Sequence, residues 1–556
     1  MIKTKKMIYF FFVISTTFLI LNLPFFIAND SDLYLNIDNE DFIPTIIFNF
    51  SNLFYLSSLI IYIITIFQND ECVINLEVPS HINSKRGNIF IGSILKGKTA
   101  KQRFRLSIKD LEKHMFICGA TGTGKSNFLQ HFLINFKKLF KIPFFLVEFK
   151  GEYHFLQNKI DDVVIFWPGE NFSINIFDPK GTNPIIHAER IFDILKSGKF
   201  IEESAEFSPQ MEKVLVEILT KVCRNKEFQS WNGFEHVCED YLQENKHEIP
   251  MLNQTLISIK NRIRRFSNGP LKVIFEKNNK IDILELFKNN ILLDLSSIIR
   301  LGGEKEDAFF FLNMILKYLW DQNLTKGACN FDGISHLTII EDAQYFVPQD
   351  LMKQSKLTTY LEDIALLQRG TGECLITLAT RPDISKEILA NNGIVLTFKN
   401  HIEKEIMCEL LNLDSEHKNY LSVLEEGQCI IRINSIKEPF LLKIPYVKHE
   451  ALSITEIYNN NKLVLQKKKI NKFESKSKFN IKRLFTCFKK FIKKIKGNFS
   501  NQSKMLKKSY KKPLHVNQSI LNDIKKENND FHLDQLAFEN LKTYITKLCK
   551  IQKEKE

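Results

Sequence analysis

The sequence lacks cysteines at the close spacings that zinc and disulfide sites use. Its ten cysteines are scattered along 556 residues, and no two of them are separated by only two residues. Neither a zinc site nor a disulfide framework is therefore predicted. The pattern is typical of reduced cysteines in a cytoplasmic body.

Two segments near the N-terminus lack charge altogether. Residues 7–28 and 42–69 are stretches of 22 and 28 residues without a single acid or base. A helix of about 20 apolar residues crosses a hydrocarbon core of about 30 Å. We therefore predict a two-helix transmembrane hairpin over residues 1–70. A cleaved signal peptide at the first segment, or a pair of buried core helices, is the alternative.

The residues that flank these segments predict the orientation of the hairpin. Lys3, Lys5 and Lys6 precede the first segment, and Lys85 and Arg86 follow the second, whereas the connecting loop holds five acids and no lysine or arginine. Positive charge stays on the cytoplasmic side of a membrane. The chain is thus expected to be a multi-pass protein of the cell membrane, with its N-terminus and its long C-terminal body in the cytoplasm.

Acidic residues are almost absent from 461–515. This segment holds 19 lysines and arginines against the single acid Glu474, so its net charge is +18 in a chain whose total is +13. Within the tail, 446–556, residues 481–496 place apolar side chains at helical spacing with lysines and an arginine on the other face, which predicts a basic amphipathic helix. Three interpretations stay open, because anionic lipid and DNA are both polyanions: it lies on lipid, contacts DNA, or packs on a partner. The flanking sequence is predicted to be flexible.

A glycine-rich loop follows a short apolar segment in the middle of the chain. Residues 114–118 (HMFIC) predict a buried strand, and residues 127–136 (NFLQHFLINF) continue after the loop with helical periodicity. Between them, GATGTGKS has the GxxxxGK[ST] spacing that surrounds nucleotide phosphates with backbone N–H groups at a helix N-terminus. We predict ATP binding by Gly119, Ala120, Thr121, Gly122, Thr123, Gly124, Lys125, Ser126 and Asn127, together with Thr380 further along the chain. Lys125 is expected to reach the β and γ phosphates, and the Ser126 hydroxyl to ligand Mg²⁺.

Two adjacent acids follow a second apolar segment, residues 336–340 (HLTII). Buried carboxylates are costly, so an apolar strand that ends in two of them indicates chemistry rather than packing. Glu341 is predicted to hold the magnesium ion together with Ser126, and Asp342 to orient or deprotonate the attacking water. A surface turn after a strand is the alternative.

Further apolar segments predict the rest of an α/β core. Strands are expected over 143–148 (PFFLVE), 291–295 (ILLDL), 374–380 (CLITLAT) and 394–398 (IVLTF), and a helix over 351–368. Residues 186–267 have helical patterns and predict an α-helical insertion. The order of the elements, with polar Thr380 ending the strand after the acids, favours a RecA-like P-loop ATPase core over 113–445, preceded by a short β-rich linker over 71–112.

Several of these segments together resemble the HerA/FtsK superfamily. The resemblance is carried by residues 114–127, by 147–153 (VEFKGEY), by the acids with Ala343 and Gln344, and by 369–382 (RGTGECLITLATRP). It is closest to HerA-like ATPases and to TraD/TraG-type conjugative coupling proteins, and it covers residues 92–445, including similar segments at 261–283 and 424–445.

The resemblance implies a homo-hexameric ring that hydrolyses ATP with Mg²⁺ at its subunit interfaces and moves DNA through a central channel. The family places a polar sensor, often glutamine, after the strand that ends here at Thr380, whereas this sequence has Arg381 there. Arg369 is the first choice for an arginine finger acting on a neighbouring subunit, and Arg381 the second. Pairing with a surface acid is the alternative for each.

The function expected from these features is an ATP-driven DNA translocase at the cytoplasmic face of the membrane, with a relaxase, a nuclease or a secretion complex as a partner. A motor that moves protein substrates in a secretion complex and an ATP-gated membrane scaffold in defence are the alternatives. The basic group Lys260, Arg262, Arg264 and Arg265 is interpreted either as a DNA or subunit contact or as a solvated helix face.

Overall fold

The structure, a computed structural model, describes residues 74–197, 207–276, 283–326, 333–349 and 356–467, together with residues 53, 56, 57, 59 and 60. No helix within these ranges is long and apolar enough to span a membrane. The predicted hairpin, apart from those five residues, and the predicted helix over 481–496 lie outside the described residues. The chain divides into two units, Met1–Gln466 and Lys467–Glu556, and the sheet belongs to the first.

Strands within the described residues form one mixed sheet, whose order is β2-β1-β11-β10-β9-β3-β8-β7-β4-β6-β5. The strands are β1 (Ile89–Lys96), β2 (Thr99–Leu106), β3 (Met115–Cys118), β4 (Phe144–Glu148), β5 (Val163–Phe166), β6 (Asn290–Asp294), β7 (His336–Ile340), β8 (Glu373–Ala379), β9 (Ile394–Thr397), β10 (Gln428–Ile433) and β11 (Phe440–Lys443).

Helices lie on both faces of this sheet and around its ends. They are α1 (His81–Ser84), α2 (Lys125–Leu139), α3 (Pro184–Ser197), α4 (Pro209–Arg224), α5 (Trp231–Asn245), α6 (Leu252–Ser267), α7 (Val273–Glu276), α8 (Ile283–Leu286), α9 (Ser296–Arg300), α10 (Lys305–Lys326), α11 (Lys356–Leu366), α12 (Lys386–Ala390), α13 (Lys404–Leu411), α14 (Tyr420–Val423) and α15 over 454–467.

The seven strands from β9 to β5 in that order run parallel. Every residue of these strands is buried, as expected for strands that have helices on both faces and therefore read as continuous apolar runs. β8 lies between β3, which leads into the glycine-rich loop, and β7, which ends before the two acids. This intervening strand confirms the predicted RecA-like class.

The strands at both edges of the sheet were not among the strands predicted individually from the sequence. β10, β11, β1 and β2 add an antiparallel extension next to β9. The predicted short β-rich linker over residues 71–112 contains strands β1 and β2, which continue the central sheet through β11. Antiparallel pairing of β1 with β11, in which Ser93 lies opposite Lys443, joins these two strands to the rest of the sheet.

The other edge strand, β5, is covered by side chains that bind its backbone, among them Asn461 of α15. The Asn461 carbonyl oxygen accepts a hydrogen bond of 3.0 Å from the Ile165 N–H, and its amide nitrogen donates one of 2.7 Å to the Ile165 carbonyl oxygen. Unpaired edge groups invite pairing with another chain. Gln157 donates to the Val163 carbonyl oxygen and Asn171 to that of Ile165, so these side chains and Asn461 together cover this edge of the sheet.

Two apolar cores lie on the two faces of the sheet. α2 covers one face with Phe128, Phe132 and Phe136, all fully buried, and burying one such side chain stabilises the fold by about 1.5–3 kcal/mol. The other face packs against α3 to α6 together with α10 and α11. The segment predicted as an α-helical insertion, residues 186–267, therefore forms helices that share the second core.

A buried polar group fixes the amino-terminal ends of β7 and β8 beside each other. His336 Nδ1 lies 2.7 Å from Glu373 Oε1, and the Thr338 hydroxyl donates to the same oxygen at 2.7 Å. Burial alone would raise the pKa of Glu373, but the charge and hydrogen bonding of His336 hold that pKa below its ordinary value. The pair fixes the register that brings the opposite ends of these strands to the site.

Candidate active site

The glycine-rich loop needs glycine where its backbone approaches a neighbouring strand. Gly119 has a φ of +149°, and a Cβ atom there would lie 2.7 Å from the Cβ atom of Phe398. Gly124, with a φ of +117°, caps α2 and lies against the backbone of Gly427. A side chain at Gly119 would collide with Phe398, and a side chain at either position would be strained because L residues rarely adopt these positive φ values.

Hydrogen bonds from three neighbouring segments hold the loop in place. The Gly119 N–H donates to the Ala379 carbonyl oxygen at 3.2 Å, and the Ala120 N–H donates to that of Lys399 at 2.9 Å. The Gly427 N–H donates to the Thr123 carbonyl oxygen at 3.0 Å. Gly119 and Ala120, both predicted to bind ATP, thus use their N–H groups within the fold. The N–H groups at the start of α2 have no partner inside the helix, so they point to where an anion would bind.

Lys125 lies at this helix N-terminus, almost completely buried. Its Nζ donates to the carbonyl oxygens of Gly119, at 2.7 Å, and Ala120, at 3.1 Å. Burial lowers the pKa of this ammonium group, because a charge in a poorly hydrated site is disfavoured. A bound phosphate would supply the negative charge that offsets this cost.

Glu341 follows β7 and faces the glycine-rich loop. Its Oε1 accepts hydrogen bonds from the Ser126 hydroxyl and from the Tyr153 hydroxyl, both at 3.3 Å. Its Oε2 is buried and has no hydrogen-bond partner among the described residues. Burial, with the nearby charge of Glu152, raises the pKa of Glu341 to about 7.

These residues fit a magnesium ion. Mg²⁺ binds through one or two carboxylates and hydroxyl oxygens together with substrate phosphates, and the Ser126 hydroxyl and the Glu341 carboxylate lie within hydrogen-bond distance of each other. The unpartnered Glu341 Oε2 is the oxygen that a cation would satisfy. When bound, the ion supplies positive charge for the phosphate oxygens of the nucleotide.

Asp342 lies in the next position with a different set of neighbours. Its backbone has a φ of +50°, which is uncommon for a residue with a side chain. Its Oδ2 lies 2.9 Å from Lys150 Nζ. Its Oδ1 is 3.4 Å from the Gln344 side-chain nitrogen, and the Gln344 side-chain oxygen accepts from the Thr380 N–H at 3.3 Å. Thr380, the residue before the predicted sensor position, is thereby connected to the second acid through Gln344.

Two more carboxylates lie at the ends of the adjacent strands. Glu148 ends β4 and is fully buried, and its pKa is raised well above the ordinary value by burial and by the charges of Glu341 and Asp294. Asp294 ends β6, where Oδ2 lies 3.1 Å from His154 Nε2 and accepts from Trp167 Nε1 at 2.9 Å. Burial alone would raise the pKa of Asp294, but hydrogen bonds from His154 and Ser296 lower it. Parallel strands bring all these acids to one edge.

Four residues that lie beside Glu341 or Asp342 were not predicted as site residues from the sequence. They are Glu148, Lys150, Tyr153 and Gln344. Three of them belong to the segment VEFKGEY and the fourth follows the paired acids, so the resemblance contained the signal. Tyr153 is the clearest of these omissions, because this fully buried residue donates a hydrogen bond from its hydroxyl to the predicted metal ligand Glu341.

The remaining predicted site residues lie in different surroundings. Asn127 is held away from the phosphate side, because its side chain donates to the Pro445 carbonyl oxygen at 3.0 Å and accepts from the Val447 N–H at 2.8 Å. Arg381 is exposed and makes no hydrogen bond or ion pair with the described residues. Arg369 lies in the short turn Gln368–Thr371, and its side chain is outside the described part of the chain.

The basic group on α6 is largely engaged within the chain. Lys260 pairs with Glu235, and Arg265 pairs with Asp307 at 2.6 Å. Arg262 lies over the ring of Phe207, 5.8 Å from its centre. Arg264 is exposed. These contacts favour a structural role for the group over a DNA contact.

Replacing Glu341 with glutamine should stabilise the metal-free protein at pH 8. A carboxyl whose pKa rises from 4.5 unfolded to about 7 folded destabilises the fold by about 3 kcal/mol once it is ionised, at 1.36 kcal/mol per unit. The penalty is absent below pH 4.5, grows up to pH 7 and is complete above it. Denaturant unfolding with a chelator should therefore show a gain at pH 8 that disappears as the pH falls towards 4.5.

Exposed Glu409 provides the matched control, since Glu409→Gln should leave the unfolding free energy unchanged at both pH values. Adding magnesium and a non-hydrolysable ATP analogue should stabilise the native chain and fail to stabilise Glu341→Gln to the same extent. Equal stability of the native chain and Glu341→Gln at pH 8 without metal would contradict the burial penalty assigned to this carboxylate.

Relatives of the chain share its core. The family model described as "Helicase HerA, central domain" matches residues 89–317. The chain is 25% identical over 380 residues to the "DNA double-strand break repair helicase HerA" of Sulfolobus acidocaldarius, an alignment that spans 64% of this chain and 69% of the relative. The protein of the same name from Saccharolobus solfataricus is 25% identical over 386 residues, which is 67% of this chain and 71% of that one.

A solved structure has the same fold. VirB4 of Thermoanaerobacter pseudethanolicus superposes with a TM-score of 0.50 at 14% identity, over 65% of this chain and 97% of the other. The HerA similarity includes the glycine-rich loop, Glu148 to Tyr153 and the strand β6, within a sheet in which β8 separates β3 from β7. The chain is therefore a P-loop ATPase whose core is similar to the HerA central domain.

Proposed function

We propose that the chain is an ATP-driven DNA translocase that works as a homo-hexameric ring with ATP at its subunit interfaces. The observation that carries the proposal is the contact between Ser126 and Glu341, since it joins the loop that holds the phosphates to the acids that act on them. The relatives support DNA as the substrate, because both carry the name of DNA double-strand break repair helicases.

The residues of this chain divide the work of hydrolysis between them. Lys125 binds the phosphates, and Ser126 with Glu341 holds the magnesium ion. Asp342 accepts the proton of the attacking water, which must lie within hydrogen-bond reach of a carboxylate oxygen. Arg369 or Arg381 of one subunit completes the site of the next by stabilising charge on the transferred phosphoryl group. Exposed Arg381 is available for such a contact.

ATP hydrolysis by the purified protein should be stimulated by DNA and abolished by Lys125→Ala, because that variant removes the cation at the phosphates. The stimulation should weaken as salt rises from about 50 to about 200 mM, since counterion release drives backbone binding. Phosphate release with and without duplex DNA measures both effects.

Lys159→Ala is the control, because Lys159 lies far from the loop in sequence and pairs with Glu450 at the surface. Turnover that does not respond to DNA at any salt concentration would exclude the DNA translocase and favour a motor for protein substrates. Nucleotide binding without turnover would favour an ATP-gated scaffold.

We further infer that residues 1–70 anchor the motor in the cell membrane, with the ATPase core in the cytoplasm. The support is the sequence alone: two uncharged segments and the distribution of lysine and arginine around them. Full-length chain should stay with membranes after carbonate extraction, whereas a chain that starts at residue 71 should not. Release of the full-length chain into the supernatant would contradict the anchor.

A further inference from the structure

Lys150 carries a charge beside Asp342, the proposed base. The mechanism proposed above gives Lys150 no role. It follows β4, whose Val147 pairs with Ile340 of β7 in parallel register, and the Glu341 N–H donates to the Val147 carbonyl oxygen at 3.1 Å. The turn after β4 therefore lies beside the turn after β7. In that position Lys150 Nζ is 2.9 Å from Asp342 Oδ2.

The Asp342 side chain has little freedom to turn while this pair exists. Its side chain is 11% exposed, and its backbone lies in the left-handed region with a φ of +50°. Oδ2 is taken by the ammonium group of Lys150, and Oδ1 has only a long contact of 3.4 Å with Gln344. A base must present a carboxylate oxygen to the proton that it accepts.

The pair is also easy to break. The Lys150 side chain is 45% exposed, and ion pairs at such positions are weak because water competes for both partners. Other acids attract the same ammonium group, since the charges of Glu341 and Glu152 act on it as well as that of Asp342. Lys150 can therefore leave Asp342 without disturbing the core.

We propose that Lys150 is a positioning residue that restrains Asp342 and keeps ATP turnover low while the two are paired. It does so by holding Oδ2 against the turn after β4, so that the acid turns to the attacking water only in molecules where the pair is open. The proposal concerns ATP hydrolysis alone and does not depend on DNA as the substrate.

Lys150→Met tests the restraint, because methionine keeps the length of the side chain and removes its charge. Turnover of magnesium-ATP without DNA should rise about two- to fivefold in kcat, the effect of an ion pair between partly exposed groups, while KM stays unchanged. Lys150→Arg retains the pair and should keep kcat at the native value. Lys159→Met, at a surface ion pair with Glu450, should change neither parameter.

Each outcome decides the matter. A rise in kcat for Lys150→Met that Lys150→Arg does not share supports the restraint. A lower or unchanged kcat for Lys150→Met, an equal rise in both variants, or a change confined to KM would overturn it. Affinity for a non-hydrolysable ATP analogue, measured for every variant, shows that the site is folded. Whether DNA stimulates any of them is a separate result that bears on the translocase alone.

Discussion

The hydrogen bond between the Ser126 hydroxyl and the Glu341 carboxylate is the contact on which the site depends. It joins residues separated by 215 positions in the chain, and only the strand order makes this possible. β3 and β7 both lie next to β8 and run in the same direction, so the loop after one and the acids after the other meet at the same edge. In open parallel sheets, ligands bind at the carboxyl ends of the strands.

This arrangement costs stability. Glu148 and Glu341 are carboxylates that burial disfavours in their charged form, and each keeps one oxygen without a hydrogen-bond partner among the described residues. Such groups persist where function requires them, and their cost is offset elsewhere. Here the offset comes from two apolar cores on either side of the sheet, including the phenylalanine series along α2. A cation at Glu341 would remove part of the cost.

The catalytic half of the fold was predictable from the sequence, and the edges of the sheet were not. The strands at 114–118, 143–148, 291–295, 336–340, 374–380 and 394–398 were found within one or two residues of their predicted bounds, because each is a continuous apolar run beside a glycine or a polar residue. β5 is four residues long and offers no periodicity to distinguish it from a short buried helix. The place of β1 and β2 in the main sheet depends on pairing with β11, a contact across most of the chain that no local pattern encodes.

Side-chain contacts around the acids were the least predictable part. Glu341 and Asp342 are recognisable in the sequence as adjacent acids after a strand, but no local pattern shows which side chains surround each of them. The structure distinguishes them: Glu341 faces Ser126 and Tyr153, and Asp342 faces Lys150. The side chain of Asn127, a predicted nucleotide contact, holds the segment after β11, and no local pattern signals this contact because the direction of a helix side chain depends on what packs there.

The central claim is that the two acids have different tasks, and Asp342→Asn tests it most directly. Affinity for magnesium and a non-hydrolysable ATP analogue should match that of the native chain, because Ser126 and Glu341 are unchanged. Turnover should fall by a factor of about 10² to 10⁴, the contribution of a positioned base. Native turnover in Asp342→Asn, or lost nucleotide binding in a folded variant, would contradict the assignment of Asp342 as the base.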